Sequence, residues 1–368
     1  MKVLFQTRTN LYDAPGGDLV QINNTKLFLE KQGIIVDISL EFNPDLKGYD
    51  VIHLFNLMDP QDIYLQMLNA KKQNKKIVLS TIYGLYTEFE RNARGGIFQK
   101  LANYLSPYQI GYIKLLVRHF HEKRFHKGVY YMFFKGYFKL MKEIVNNVDV
   151  FLPNSNSEME RVASEFKLKH YKYIAVPNSI DKSLFTYNDQ QKGNKYSQFN
   201  DCIVCAARIE GRKSTLNLVK AIKNTKYTLV LVGNASQNQK QYISQVHQEA
   251  GDNVVFLGSI SHKELRDLYK VAKVHALVSW METPGLSSLE AAAMGCNIVV
   301  TKKGDTQEYF EDLAYYCEPD DVNSIKKAID LAYENPANPE LKNKILSQYI
   351  WEKTAEKTIE AYQLALSQ

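Results

Sequence analysis

Nowhere in this chain of 368 residues do about 18 apolar residues run together, so no transmembrane helix is expected. Cysteine is scarce. Four residues fit a reducing compartment and offer no disulfide framework. Cys202 and Cys205 form a C-x2-C, but inside the strand-like Asp-Cys-Ile-Val-Cys-Ala-Ala, and Cys296 and Cys317 lie far from that pair and from each other. Buried core thiols are expected there, not a zinc site. The start, Met-Lys-Val-Leu-Phe-Gln-Thr-Arg, turns polar too early for a signal peptide, so a cytoplasmic protein is expected. No Gly-x-Gly-x-x-Gly occurs, so the dinucleotide fingerprint fails. No nucleic-acid-binding module is visible, and no nucleic-acid partner is expected.

What is present is the composition of a folded globular protein, 45% hydrophobic and 23% charged. The length exceeds one ordinary core and predicts two domains. Apolar patterning alternates between strand and helix throughout. Lys2–Gln6, Ile34–Leu40, Val51–Phe55, Lys76–Thr81, Val148–Pro153 and Tyr173–Val176 read as strands. Helices are expected at Asp18–Gln32, Pro60–Gln73 and Ser157–Phe166. Pro177-Asn-Ser-Ile-Asp181 and the polar stretch 187–200 read as a connector. A second series follows, with strands at Cys202–Ala207, Tyr227–Val232, Val254–Leu257, Val274–Ser279 and Asn297–Thr301. Its helices are expected at Ser214–Lys223, Gln237–Ala250, His262–Val271, Ser287–Met294 and Asp321–Tyr333. The fold class predicted is α/β, two doubly wound parallel sheets with a cleft between them. In such sheets ligands bind at the carboxyl ends of the strands.

Three short pieces carry chemistry, and all fall at such strand ends. Glu282-Thr-Pro-Gly-Leu-Ser-Ser-Leu-Glu290 places two carboxylates around a Pro-Gly turn, ahead of a short apolar helix. Gly285 permits close backbone approach, and the helix behind it aims free N–H groups at the loop. Carboxylates at 282 and 290 suit sugar and ribose hydroxyls. Ser287-x-x-Glu290 is equally a capping box that needs no ligand. Arg208 and Lys213 follow a buried strand and can clamp a diphosphate, or form a solvated charged turn. Gly16-Gly17, before the first helix, can cradle a phosphate or make a plain turn.

Taken in order, these motifs resemble a retaining glycosyltransferase of the GT-B fold, family 4 (glycosyl transferases group 1). The family pattern is Gly-Gly near the start, Asn in the linker, Arg-x4-Lys, and Glu-x7-Glu with Gly three after the first Glu. Here it reads Gly16-Gly17, Asn178, Arg208 with Lys213, and Glu282 with Gly285 and Glu290. Phe256-Leu-Gly258 and Gly304 to Glu308 match weaker family positions. Ile350-Trp351-Glu352 is similar to the start of a last helix that crosses back to the first domain. The resemblance covers nearly the whole chain apart from about 95–145. It implies a first domain at 1–177 with 350–368, on the acceptor side, and a nucleotide-sugar-binding domain at 178–349.

The resemblance also implies roles. Arg208 and Lys213 hold the diphosphate, Glu290 the ribose and Glu282 the donor sugar. The N–H groups of Leu286 and Ser287, after Gly285, contact phosphate or sugar. Gly16 and Gly17 face the diphosphate, and Gly258 to Ile260 meet the base. No cofactor or metal is implied, and no Asp-x-Asp is present. The implied reaction is retaining transfer from a UDP- or GDP-linked sugar to a glycan or lipid-linked acceptor, as in bacterial surface polysaccharide synthesis. One departure stands out. Thr81-Ile-Tyr83-Gly84 sits where many relatives carry a His. Tyr83 or His53 is the candidate replacement, and His53 reads equally as a core histidine. A nucleotide-sugar epimerase of similar fold and a catalytically silent sugar-nucleotide or membrane adaptor are the competing functions.

One segment fits none of this. Residues 98–143 hold nine Lys or Arg against two Glu, a balance of +7, while the rest of the chain balances at −1. The same segment holds 12 aromatics. Ile113, Leu116, Val117 and Phe120 fit one helical face, with Lys114 and Arg118 off it. An anionic membrane surface, reached peripherally at the inner leaflet, is the expected partner, beside a lipid-linked acceptor. A helical core with a solvated basic face is the alternative.

Overall fold

Lys2–Gln6 buries four of its five residues, as a strand covered on both faces must. In the computed structural model it opens a long βα series. All residues are described except 15, 123–124, 187–193, 237–238 and 368. Pro15, Lys123 and Arg124, the first part of the predicted connector, and Gln237 at a predicted helix start therefore lie outside the described residues.

The chain runs β1 (Lys2–Gln6), α1 (Gly17–Lys31), β2 (Ile35–Ser39), β3 (Val51–Phe55), α2 (Pro60–Lys72), β4 (Lys76–Ser80) and α3 (Thr87–Asn92). It continues through α4 (Gly96–Ala102), α5 (Pro107–Glu122), α6 (Lys127–Lys135), α7 (Tyr137–Val145), β5 (Val150–Phe151) and α8 (Asn156–Phe166). Then come β6 (Cys202–Ala206), α9 (Thr215–Ile222), β7 (Leu229–Val232), α10 (Lys240–Glu249), β8 (Val254–Gly258) and α11 (His262–Tyr269). The last part is β9 (Ala272–Leu277), α12 (Leu286–Met294), β10 (Asn297–Thr301), α13 (Thr306–Phe310), β11 (Tyr315–Cys317), α14 (Val322–Glu334), α15 (Pro339–Gln348) and α16 (Trp351–Leu366).

Two units result. The first comprises 1–85, 100–178 and 351–368, and the second 86–99 and 179–350. The sequence did not foresee that 86–99 joins the second unit.

The first unit holds a parallel five-stranded sheet in the order β2-β1-β3-β4-β5. The chain reverses direction across the sheet between β1 and β3, the kind of point at which such sheets bind ligands. α16 returns to this unit. Its Trp351, Ala355, Ala361, Tyr362 and Ala365 join Val3, Phe5 and Val78 in one core layer. The predicted strand at Tyr173–Val176 is reduced to a single bridge, Phe151 to Tyr173. β5 pairs with β4 over only two residues, leaving too little edge for more.

The second unit holds a parallel six-stranded sheet in the order β11-β10-β9-β6-β7-β8. Here the reversal lies between β6 and β9. Along β6 the residues alternate between layers. Cys202 and Val204 pack with Leu277 and Leu289, and Ile203 and Cys205 pack with Leu218 and Ala276. The two cysteines of the C-x2-C thus face opposite sides of the sheet. Burial pushes both thiols up to about 12, as expected of core residues rather than ligands.

Candidate active site

The loops after β6 and β9 meet at the reversal point of the second sheet, and the sequence-predicted charges sit on them. Arg208 is exposed just past the end of β6. A single 3-10 turn, Gly211–Lys213, then leads into α9. This turn is fixed from several sides. The Gly211 amide donates to Gln239 Oε1 at 2.8 Å, and the Trp280 amide donates to the Arg212 carbonyl at 2.9 Å. Ser214 closes the turn at φ +50°, a left-handed conformation uncommon for serine, and its hydroxyl donates to the Pro319 carbonyl at 2.5 Å.

Lys213 reaches from this turn to the Glu282 carboxylate. Its ammonium is largely buried, which opposes the charge, but the neighbouring carboxylate outweighs burial and raises its pKa. The backbone of Glu282 is clamped by the loop after β10. Its amide donates to the Lys303 carbonyl at 3.2 Å, and its carbonyl accepts from the Asp305 amide at 2.9 Å. Gly304 lies between them at φ +89°, and a Cβ there would come 2.1 Å from the Glu282 carbonyl oxygen. Gly304→Ala is therefore expected to push Glu282 off Lys213. The left-handed strain alone costs roughly 1–2 kcal/mol, so a lower melting temperature with loss of turnover is the outcome to measure.

Gly285 stands at φ +88° as the N-cap of α12. No side chain caps the helix. The amides of Ser288 and Leu289 return to the Gly285 carbonyl, and those of Leu286 and Ser287 begin the first turn. The capping-box reading of Ser287 and Glu290 thus fails: Ser287 is inside the helix, and the Ser287 carbonyl instead accepts from Tyr269 Oη at 3.2 Å. Glu290 points the other way, into a buried position, and burial raises its carboxyl to about 8. His262 Nδ1, at the start of α11, stands 3.7 Å from Glu290 Oε1. Gly258, at φ +66°, ends β8, and its carbonyl accepts from the Gly233 amide at 2.8 Å; Ile260 is half-buried two residues on. Gly233 is itself a forced glycine, since a Cβ would meet the Ala207 carbonyl oxygen at 2.2 Å, next to Arg208.

Several contributors escaped the sequence reading. Tyr86 stacks on the Arg212 guanidinium at 4.7 Å, and Phe89 packs 6.3 Å from Trp280. A Cβ on Gly211 would come 3.1 Å from the Phe89 ring, and Lys303 pairs with Glu88 at 2.8 Å. A segment from the first half of the chain thus braces the turn that carries Lys213. No local pattern signals this. His262 was read only as the start of a helix.

The first unit carries the other predicted residues. Gly16 and Gly17 form the start of α1, with no side-chain cap. Beside them Arg8 donates to Asp18 at 2.7 and 3.1 Å, and to Asn10. His53 is almost fully buried in β3. Nδ1 bonds the Tyr362 hydroxyl at 2.8 Å and Nε2 the Ser80 hydroxyl at 2.9 Å. Burial drops its pKa to about 3, so it stays neutral, the core histidine of the two readings. Tyr83 is buried too, its hydroxyl 2.6 Å from that of Tyr108 and its amide donating to Glu158 at 2.5 Å. Asn178 is buried at the end of the unit. The structure therefore places Lys213, Glu282, Gly285, Leu286, Ser287 and Glu290 at the carboxyl end of one sheet, with Arg208 exposed just past β6 at the same end.

The architecture is that of the GT-B fold. The full chain superposes on sucrose-phosphate synthase from Thermosynechococcus elongatus with a TM-score of 0.74 at 16% identity, covering 100% of this chain and 99% of that one. It superposes on Anabaena HepE, solved with UDP and glucose, with a TM-score of 0.63 at 15% identity, covering 99% and 96%. Residues 188–350 match the family glycosyl transferases group 1. An O-antigen chain mannosyltransferase of Salmonella typhimurium is 29% identical over 204 residues, 53% of this chain and 54% of that one. The chain spans about half the length of the curated relatives it matches.

Proposed function

We propose that this protein is a retaining glycosyltransferase that takes its sugar from a UDP- or GDP-linked donor and passes it to a glycan or lipid-linked glycan, in bacterial surface polysaccharide synthesis. The observation that carries the reading is the Lys213–Glu282 ion pair beside the uncapped start of α12, with Glu290 buried behind it. A cation and free N–H groups suit a diphosphate, and the two carboxylates suit hydroxyls. The UDP and glucose held by HepE and the glycan role in the name of the Salmonella relative support the same donor and acceptor classes.

In this reading the donor C1–O bond breaks first. Arg208, Lys213 and the α12 amides stabilise the charge that grows on the leaving diphosphate. The acceptor oxygen bonds C1 from the same face, and its proton passes to the leaving phosphate oxygen. Glu282 orients the sugar. The residues ask for no metal in this scheme, and metal independence is part of the proposal.

Thermal melting with UDP, GDP, ADP and dTDP, each with and without EDTA, tests the donor site. Ligand at 100-fold over its Kd is expected to add about 2.7 kcal/mol of apparent stability. A shift with UDP or GDP that survives EDTA is the expected result. No shift with any of the four would overturn the donor site and leave an adaptor. Sugar conversion without acceptor would identify an epimerase instead.

A further inference from the structure

We propose that the exposed aromatic face of α5 and α6 docks this protein on an anionic lipid bilayer surface. The site is outside the donor edge and does not depend on it. Among the described residues, nearly half of the exposed large apolar side chains fall within 98–143. On α6, Gly128, Val129 and Met132 are buried, while Tyr130, Phe133 and Phe134 form an exposed stripe at i, i+3 and i+4. Gly128 fixes which face is which. A Cβ there would come 1.9 Å from the Gln61 carbonyl oxygen, so α6 lies directly on α2 through this residue.

The neighbouring helix repeats the pattern. On α5, Ile110, Leu115 and His119 are buried, while Val117 and Phe120 are exposed. The helical face expected from sequence is present and graded in burial: Ile113 and Leu116 are half-buried, and Val117 and Phe120 are exposed. Arg118, off that face, pairs with Asp59. Two contacts set α5 and α6 side by side and antiparallel. The rings of Phe120 and Phe125 lie 5.3 Å apart, and Tyr112 Oη donates to the Phe133 carbonyl at 3.2 Å. Phe134 is 81% exposed and Phe120 65%. Aromatic surface on this scale marks an interaction site.

Charge selects the occupant. Part of the segment's excess of +7 is presented by exposed Lys127, Lys139 and Lys142, while its Glu143 is occupied by Lys135 and Tyr64. A second copy would set like charge against like. Single-stranded nucleic acid is held in grooves, whereas these rings stand out from helix faces. Aromatic side chains with basic neighbours are the composition of an interfacial anchor. Among the described residues no helix is long and apolar enough to cross a membrane, so the contact is with the surface.

The test is co-sedimentation of the full chain with vesicles of phosphatidylcholine alone and of phosphatidylcholine with equal phosphatidylglycerol. Binding to the anionic vesicles is expected to exceed binding to neutral ones by about tenfold or more. Phe120→Ser with Phe133→Ser and Phe134→Ser is expected to lower it by about tenfold. Lys127→Glu with Lys139→Glu and Lys142→Glu is expected to erase the preference for anionic lipid. All six side chains are exposed, so melting temperatures should hold for both variants. Equal binding by both variants, or none by the parent, overturns the proposal. So does a dimer that the serine variant dissociates, or capture of single-stranded DNA without vesicle binding. Vesicle binding by a chain that takes no nucleotide leaves this surface standing and removes the donor reading alone.

Discussion

Lys213→Ala is expected to lower sugar transfer by about 10²–10³-fold, the usual loss when one donor to a developing oxyanion is removed. Glu282→Ala is expected to fall by a similar factor, because the two side chains are partners and each loses its position without the other. Stability separates this from a merely structural role. The Lys213 and Glu282 side chains are 21% and 9% exposed. Removing one partner of a buried pair costs roughly 3–5 kcal/mol, and the partial exposure of Lys213 puts this site at the low end. Lys213→Met with Glu282→Gln takes away both charges and is expected to regain most of the lost melting temperature while staying inactive. Calorimetric melting of the four proteins, with diphosphate release as the activity readout, checks both halves. A double variant that transfers sugar normally would show that the pair only holds the loops together.

The same pair illustrates what sequence can carry. The positions of Arg208, Lys213, Glu282 and Gly285 could be read from sequence because each lies in the connection after a buried strand, and that of Glu290 because it lies in the helix that follows, at the end of the sheet where doubly wound folds place ligands. The spacing from 282 to 290 gave a turn and a helix start, and the fold supplied both. Spacing could not decide between a capping box and a ligand site, because that depends on where the helix begins. Starting it at Leu286 removes the capping box, and the ligand site remains the proposal. Long-range contacts were invisible for a simpler reason. Tyr86 and Phe89 are more than a hundred residues from the turn they brace, as Glu88 is from Lys303, and no periodicity encodes such meetings. His53 failed as a candidate because its partners, Ser80 and Tyr362, come from β4 and the last helix.

Nucleotide binding is expected to release a proton from Glu290. Its carboxyl is buried and titrates near 8, so at pH 7 it is mostly neutral. Two ribose hydroxyls donating to it would favour the carboxylate and bring the pKa down. Between the bound and free pKa values, affinity should then rise up to about tenfold per pH unit. Calorimetry at pH 7 in two buffers of different ionisation enthalpy should show close to one more proton released by the parent than by Glu290→Gln. The diphosphate's own protons cancel in that difference. His262 stands 3.7 Å away and is the neighbouring side chain to control, so His262→Ala should retain the release. The free protein gives an independent sign. A carboxyl raised on folding adds stability below its unfolded pKa, and that contribution is lost as pH rises through about 8. The parent should therefore lose stability between roughly pH 4.5 and 8, by at most ~1.4 kcal/mol per unit from this group. Glu290→Gln should lack that decline. If the variant and the parent share one proton balance and one pH slope for nucleotide, Glu290 does not hold the ribose, and its burial belongs to the core alone.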